Sequence, residues 1–126
     1  MMRETAIRLG EKEYRMKALS CEEVLESLSL CERLTGELWQ EDMSRELVTA
    51  MCENAVLGYL SIYDGERAAF HSAREVLQKL TLEELTRIFD TYERYLTEMC
   101  IRDRYGTEPE KRRPDSGYRR RNKKRG

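Results

Sequence analysis

The chain has 126 residues, 37% of them charged, and a formal net charge of −1 at pH 7. This length suits one small domain, and no apolar run approaches the roughly 20 residues that a membrane-spanning helix needs. Because residues 1–4 are not followed by an apolar segment, we also expect no signal peptide and a cytoplasmic location.

The charges are distributed unevenly along the chain. Residues 1–101 contain 12 Lys and Arg against 20 Asp and Glu, a net charge of −8, whereas residues 102–126 contain 11 against 4, a net charge of +7. An acidic surface repels nucleic acid, and a basic segment can bind it. We therefore predict one domain over residues 3–98 and a disordered basic tail over residues 99–126.

The first predicted element is a β-hairpin. Apolar and polar residues alternate on both sides of Gly10-Glu11, a glycine-first pair suited to a two-residue type II′ turn. The register that closes this turn places the apolar side chains on one face, with Leu9 opposite Lys12, Ile7 opposite Tyr14 and Thr5 opposite Met16. An isolated hairpin is marginally stable in water, so this face is expected to pack on helices.

Three helices are predicted from a shared start signal, Ser or Thr followed three residues later by Glu. The signals are Ser20 with Glu23, Ser72 with Glu75 and Thr81 with Glu84. In such a capping box the hydroxyl accepts from the backbone N–H three residues on, while the Glu carboxylate accepts from the cap residue's own N–H. Each signal is followed by apolar residues at helical spacing.

The longest predicted helix covers residues 43–63 and is the central one, because its apolar stripe is wide. Leu47 and Ile62 are assigned to its inner face, and Gly58 predicts the close approach of another backbone. Asp64-Gly65 ends this helix. Residues 66–71 are interpreted as a short extended connector that returns Phe70 to the core.

These elements predict a mainly α protein of α+β type, with an N-terminal β-hairpin packed on a small bundle of three to four helices. The centre of each helical stripe is expected to be buried. The residues concerned are Leu28, Met51, Ala55, Ile88, Phe89 and Tyr92.

No combination of residues points to catalysis or to a bound metal. Cys21, Cys31, Cys52 and Cys100 are too far apart for a zinc knuckle and are interpreted as buried small apolar residues. His71, the single histidine, adjoins a helix cap and has no Ser or Cys partner identifiable by spacing. We therefore expect a protein that is not an enzyme and has no catalytic residue, no metal and no cofactor.

Leu38 and Trp39 are the candidate partner-binding residues. Trp39 lies outside the periodic apolar stripes, between the first two helices and among acidic residues. Such a tryptophan either covers the core or forms, with Leu38, an exposed hot spot for a partner protein.

The basic tail has two open interpretations. Residues 99–104, Met-Cys-Ile-Arg-Asp-Arg, resemble the translation of a transposase mosaic end used in sequencing libraries, so residues 99–126 can be a chimeric artefact. If the tail belongs to the gene, its clusters at residues 111–113 and 119–125 form an arm for RNA, DNA or acidic proteins. The protein would then be a small nucleic-acid-binding regulator from a mobile element.

The body of the chain resembles a known family over about residues 3–97. The segments that carry the resemblance are residues 7–20 (IRLGEKEYRMKALS), a Glu-rich helix, a long apolar helix ending in residues 59–66 (YLSIYDGE), residues 70–77 and residues 80–86 (LTLEELT). This layout is similar to that of the small tail assembly chaperones of bacteriophages and prophages in Firmicutes.

The resemblance implies a non-enzymatic role in the cytoplasm of a bacterial host. Proteins of this family keep the tape measure protein soluble and bring tail tube subunits to it during tail morphogenesis. Contacts near Leu38 and Trp39 and at the exposed edge of the hairpin would then bind the partner. A genuine basic tail would correspond to the extension that ribosomal frameshifting adds in this family.

Overall fold

A computed structural model describes residues 4–101 of the chain. The elements in chain order are β1 (Glu4–Leu9), β2 (Lys12–Lys17), α1 (Cys21–Leu38), α2 (Arg45–Ser61), β3 (Ile62–Asp64), β4 (Arg67–Ala68), α3 (Ala73–Lys79) and α4 (Leu82–Ile101). The chain divides into two compact units, residues 1–93 and residues 94–126. The described part of the second unit is the end of α4, and residues 102–126 of the predicted basic tail lie outside the described residues.

The predicted fold class, mainly α with an N-terminal hairpin, is confirmed, and the hairpin has the predicted register. β1 pairs with β2 in antiparallel fashion, and the three predicted pairs are all present. Gly10 in the turn has a φ of 65°, which only glycine adopts without strain. One face of the hairpin buries Ile7, Leu9 and Met16, as the alternation predicts.

The sheet is larger than predicted because a second hairpin follows α2. The strands lie in the order β1-β2-β3-β4, with Met16 of β2 paired with Ile62 of β3. Residues 62–64 are therefore a strand, so the predicted helix over residues 43–63 is too long at its end. The connector predicted over residues 66–71 contains β4. A β-branched residue and a tyrosine favour the strand once β2 offers its edge, and Gly65, with a φ of 71°, makes the turn.

The helices begin at their predicted caps. Ser20 with Glu23, and Thr81 with Glu84, form complete capping boxes. The Ser72 hydroxyl accepts from Glu75 N–H as predicted, but the Glu75 carboxylate accepts from the backbone N–H of residue 71 instead. α2 begins at Ser44, a cap without a Glu partner, which accepts from the backbone N–H of residue 47.

The core of the first unit consists of two apolar clusters. One lies between the sheet and helices α2, α3 and α4 and includes Ala55, Phe70 and Ile88. The other joins α1 to α2 through Leu34, Cys52 and Val56. Of the positions predicted as buried, Ala55 and Ile88 are fully buried, and Met51 and Tyr92 pack against the first cluster.

Two of the predicted core residues are instead on the surface, since Leu28 is 62% exposed and Phe89 is 46% exposed. At about 100° of rotation per residue, Leu28 lies about 120° around α1 from the buried Leu34, and Phe89 lies about 100° around α4 from the buried Ile88. Both therefore point away from the faces that pack. Each helix buries a narrower stripe than its apolar residues predict.

Gly58 is buried beneath side chains, not beneath a backbone as predicted. A Cβ at this position would meet Ile88 Cδ1 at 2.9 Å, and the next nearest atoms belong to Ile62 and Val76. The missing side chain of Gly58 thus makes room for one residue each from α4, β3 and α3.

Candidate functional site

An apolar groove of about 440 Å³ lies along the first half of α2. The end of α1, the loop between α1 and α2, and α3 complete its walls. We call it the α2 groove, and its apolar lining consists of Leu38, Met43, Leu47, Val48, Met51 and Leu77. Its volume lies within the range of about 300–1,000 Å³ that is usual for ligand clefts.

The position of the α2 cap determines which side chains face the groove. Because α2 begins at Ser44, Leu47, Val48 and Met51 follow in its first two turns and project on adjoining sides of the helix. Cys52, which is buried, also contacts the groove and joins it to the core. The groove is therefore built on a regular helix and not on a loop alone.

Two of the lining residues are strongly exposed. Met43 is 42% exposed and Leu47 is 55% exposed, although Leu47 was predicted on the inner face of its helix. A single exposed Leu is ordinary on a protein surface, but a concave apolar surface with several such side chains is typical of a binding site. The α2 groove is the best candidate site in the described part of the chain.

The two predicted partner-binding residues lie next to each other but have different positions at this groove. Leu38 is in the lining, whereas Trp39 is not. The indole Nε1–H of Trp39 donates to the carbonyl oxygen of Met43 at 3.1 Å, and the Arg45 guanidinium lies 5.0 Å from the ring centroid. Trp39 thus holds the loop that carries Met43, so it is a support of the groove rather than a part of its surface.

Several acidic residues are close in sequence to the groove residues Met43 and Leu47. Glu41, Asp42 and Glu46 are exposed, and no ion pair within residues 4–101 involves any of these three carboxylates. The nearby Glu37 carboxylate is paired with Arg74 at 2.7 Å. At about 100° of rotation per residue, Glu46 lies about 160° around α2 from Val48, so its position on the helix is away from the groove.

The thiols differ in exposure. Burial raises the pKa of the Cys31 thiol to about 11 and also raises the pKa of Cys52. Since the thiolate is the reactive form, both are poor nucleophiles at neutral pH, consistent with packing roles. The prediction is wrong for Cys21, which is exposed, and the side chain of Cys100 lies outside the described residues.

A second, more polar depression of about 730 Å³ lies beside the second hairpin and contains His71, Asp64 and Arg67. Its lining includes no Ser, Cys or Lys that could act as a nucleophile, and Asp64 is ion-paired with Lys12. Within residues 4–101 no group of three or more His, Cys, Asp and Glu side chains is placed to hold a metal ion. The α2 groove therefore remains the stronger candidate.

The free edge of β1, the other predicted partner contact, is partly covered. In the observed register the backbone groups of residue 8 point away from β2, and Arg87 Nη1 of α4 donates to the Arg8 carbonyl oxygen at 3.0 Å. A side chain on a free edge blocks the addition of another strand. This edge is thus less available to a partner than the sequence predicts.

Most of the groove could not be identified from the sequence. Of the lining residues, Met51 is predicted as buried on its spacing, and only Leu38 is singled out for binding. The available signal was the spacing of Leu38, Met43 and Leu47 across a helix junction rich in acidic residues. That signal does not reveal whether another element covers these side chains.

No helix within residues 4–101 has both the length and the apolar character required to cross a membrane. Comparison of the chain with known protein families, with characterised proteins and with solved structures found no match.

Proposed function

We propose that this protein is a non-enzymatic phage tail assembly chaperone, which binds the tape measure protein and tail tube subunits during tail morphogenesis. The observation that carries the proposal is the α2 groove, whose lining is apolar and includes the exposed side chains of Met43 and Leu47. The resemblance over residues 3–97 supplies the identity of the partners.

The groove supports this proposal through a known mode of recognition. An amphipathic helix can lay its apolar face into an apolar groove, with side chains one turn apart as anchors. A tape measure protein is long and helical, so it exposes many such faces before it is assembled. A chaperone that covers them lowers the concentration of surfaces available for aggregation.

The net negative charge of residues 1–101 also supports the proposal. A protein that holds an aggregation-prone partner must itself stay soluble, and excess charge of one sign favours solubility.

Co-expression tests the proposal. The chain should raise the soluble fraction of the tape measure protein encoded beside it, measured by centrifugation and gel densitometry, and should be recovered with the tail tube protein in a pull-down. Leu47→Asp should abolish the effect, because it places a charge in the groove. Leu82→Asp is the matched control, since Leu82 is 60% exposed and, like Leu47, lies in the first turn of a helix.

The result that overturns the proposal is a tape measure protein that stays insoluble with the chain in excess. Retention of the full chain on heparin at physiological salt, lost on removal of residues 102–126, would then favour the nucleic-acid-binding regulator.

A further inference from the structure

A second cleft, of about 290 Å³, lies between α1 and α2 and shares no lining residue with the α2 groove. We propose that this α1–α2 cleft binds the lysine side chain of a partner helix, which packs on the exposed apolar face of α1. The inference concerns a different site from the proposed function and does not depend on it.

Helical periodicity explains how the two helices form the cleft. On α1, Leu28, Glu32 and Thr35 recur at spacings of four and three residues, so they lie on one face of the helix. On α2, the lining residues recur every four residues from Arg45 to Glu53. Because α1 and α2 pack together, these two faces adjoin and form the walls of the cleft.

The cleft contains a buried hydroxyl that is available to a ligand. Of the lining residues only Thr35 is buried, at 4% exposure, and within residues 4–101 no hydrogen bond involves its Oγ1. The Cys52 thiol lies beside it, but a thiol is a weak hydrogen-bonding partner. Buried polar groups are normally hydrogen-bonded, so the Thr35 hydroxyl can accept from a donor that enters the cleft.

Two carboxylates in the lining determine the charge of the occupant. Glu32 on α1 and Glu53 on α2 are exposed, and no ion pair within residues 4–101 involves either of them. Burial is the main cause of the raised pKa of the Cys31 thiol and the negative charge of Glu53 adds to it, so the Glu53 carboxylate is near the α1 wall. Arg45, the cation of the lining, lies over the Trp39 ring. A cation that enters therefore meets acceptors on both walls.

A lysine side chain matches this set of acceptors. Its ammonium has three N–H donors on a compact head, which suffice for the two carboxylates and the Thr35 hydroxyl. Its aliphatic stem can lie along Leu28, which is 62% exposed. A metal ion fits less well, because within residues 4–101 no three His, Cys, Asp or Glu side chains are placed to hold one.

The apolar residues beside the cleft indicate that the lysine belongs to a helix. Val24 and Leu25 are 44% and 68% exposed, and both lie within about 60° of Leu28 around α1. These three residues form an apolar stripe, the α1 stripe, that leads into the cleft. An exposed stripe of this kind packs against the apolar face of another helix. The partner helix would thus place apolar side chains on the α1 stripe and a lysine, one turn further on, in the cleft.

Two designed helical peptides test the proposal on the full chain. They share Leu at positions i, i+3, i+4 and i+7 and differ only at i+11, which is lysine in one and norleucine, without an ammonium group, in the other. The anisotropy of a fluorescent label on the peptide gives the affinity. We expect the lysine peptide to bind about fivefold to tenfold more tightly, and the difference to shrink as salt is added.

Substitutions of the carboxylates assign the preference to the cleft. Glu32→Gln combined with Glu53→Gln should remove most of the difference between the peptides. The control is Glu22→Gln combined with Glu26→Gln, which removes the same charge from exposed positions at least 120° around α1 from Leu28 and should leave the difference intact.

Thr35→Val separates binding from a structural role, because it removes the hydroxyl and keeps the shape of the side chain. Since this hydroxyl has no hydrogen bond within residues 4–101, the thermal midpoint should stay the same or rise. The affinity for the lysine peptide should fall about threefold, and the affinity for the norleucine peptide should not change.

Leu28→Ser and Leu47→Ser distinguish the two surfaces, since both leucines are exposed and belong to different ones. Leu28→Ser should weaken the binding of both peptides, and Leu47→Ser should not. The reverse result would place the peptides in the α2 groove and overturn the inference.

The inference is also overturned if the two peptides bind equally well, if neither binds, or if the preference survives substitution of Glu32 and Glu53. Selective binding of the lysine peptide that depends on these two residues would support it, whether or not the chain solubilises the tape measure protein. Failure of this inference and failure of the chaperone proposal are therefore separate results.

Discussion

Ile88 of α4 occupies the space that a side chain at Gly58 of α2 would need, since a Cβ built at Gly58 lies 2.9 Å from Ile88 Cδ1. Ile88 is fully buried, so its terminal methyl cannot move aside without disturbing its neighbours. The glycine is therefore explained by packing, although it weakens the helix by about 1 kcal/mol relative to Ala.

Gly58→Ala should consequently fail to stabilise the protein, because the gain in helix propensity is offset by the clash with Ile88. Gly36→Ala in α1 is the control: a Cβ there meets nothing within 4 Å, and a gain of about 0.5–1 kcal/mol is expected. Urea denaturation of both variants makes the comparison. In the Ile88→Val background, which lacks Cδ1, Gly58→Ala should increase the free energy of unfolding. If the changes in the free energy of unfolding caused by the two substitutions simply add, the proposed contact is refuted.

The orientation of α4 predicts that substitutions at two neighbouring positions, Ile88 and Phe89, lower the stability by different amounts. Ile88→Ala should cost about 2–5 kcal/mol, because the side chain is fully buried. Phe89→Ala should cost well below the about 3–5 kcal/mol typical of a buried Phe, since Phe89 is 46% exposed. Equilibrium unfolding followed by circular dichroism measures both. A larger loss for Phe89→Ala than for Ile88→Ala would mean that the buried face of α4 is wrongly assigned.

The parts of the fold that the sequence predicts are those determined by neighbours in the chain. The register of the first hairpin follows because a turn glycine and a two-residue period lead to the same pairing. The caps at Ser20, Ser72 and Thr81 follow because each hydroxyl accepts from the backbone N–H three residues on, which is a contact between near neighbours in the chain.

The features that the sequence does not predict depend on distant partners. Ile62 continues the apolar period of α2, and only its pairing with Met16 of β2 makes it part of a strand. Likewise, helical spacing places Leu28, Leu47 and Phe89 with the core residues, but exposure depends on whether another element covers that face. For this reason the groove could not be predicted. A pattern of apolar residues shows which side of a helix is apolar, but it does not show whether another element of the fold covers that side.

Tyr92→Phe should destabilise the protein by about 1–3 kcal/mol. The Tyr92 hydroxyl accepts from the backbone N–H of Leu19 at 2.9 Å in a partly buried position and thereby joins α4 to the connector between β2 and α1. Without the hydroxyl, this donor is left unpaired. The free energy of unfolding from urea denaturation checks the loss, and faster amide hydrogen exchange at Leu19 locates it. An unchanged unfolding midpoint would show that a water molecule replaces the tyrosine hydroxyl as acceptor without loss of stability.

Lowering the pH should destabilise the first turn of α1, because it protonates the Glu23 carboxylate. This carboxylate accepts from Ser20 N–H at 2.8 Å, and this hydrogen bond is the main cause that lowers the Glu23 pKa below its ordinary 4.5. The stabilisation is therefore complete above pH 4.5 and is lost as the pH falls through the lower pKa of the folded state.

Glu23→Gln should remove about 0.3–1 kcal/mol of stability at pH 7 and flatten the pH dependence below 4.5. Glu22→Gln, at an exposed position in the same turn, is the control and should preserve the acid dependence of the parent. Thermal unfolding at several pH values provides the measurement. Parallel pH profiles for the parent and Glu23→Gln would contradict this assignment.

Trp39 should affect binding through the loop that it holds. Trp39→Phe retains a ring for Arg45 but loses the indole N–H that donates to the Met43 carbonyl oxygen, whereas Trp39→Ala loses both interactions. We therefore expect affinity for the tape measure protein to fall in the order parent, Trp39→Phe, Trp39→Ala, with faster amide hydrogen exchange across residues 40–43. Phe89→Ala removes a partly exposed aromatic ring outside the groove and should leave both measurements unchanged. If Trp39→Ala weakens binding while exchange across the loop stays at the parent rate, Trp39 contacts the partner directly and the supporting role is wrong.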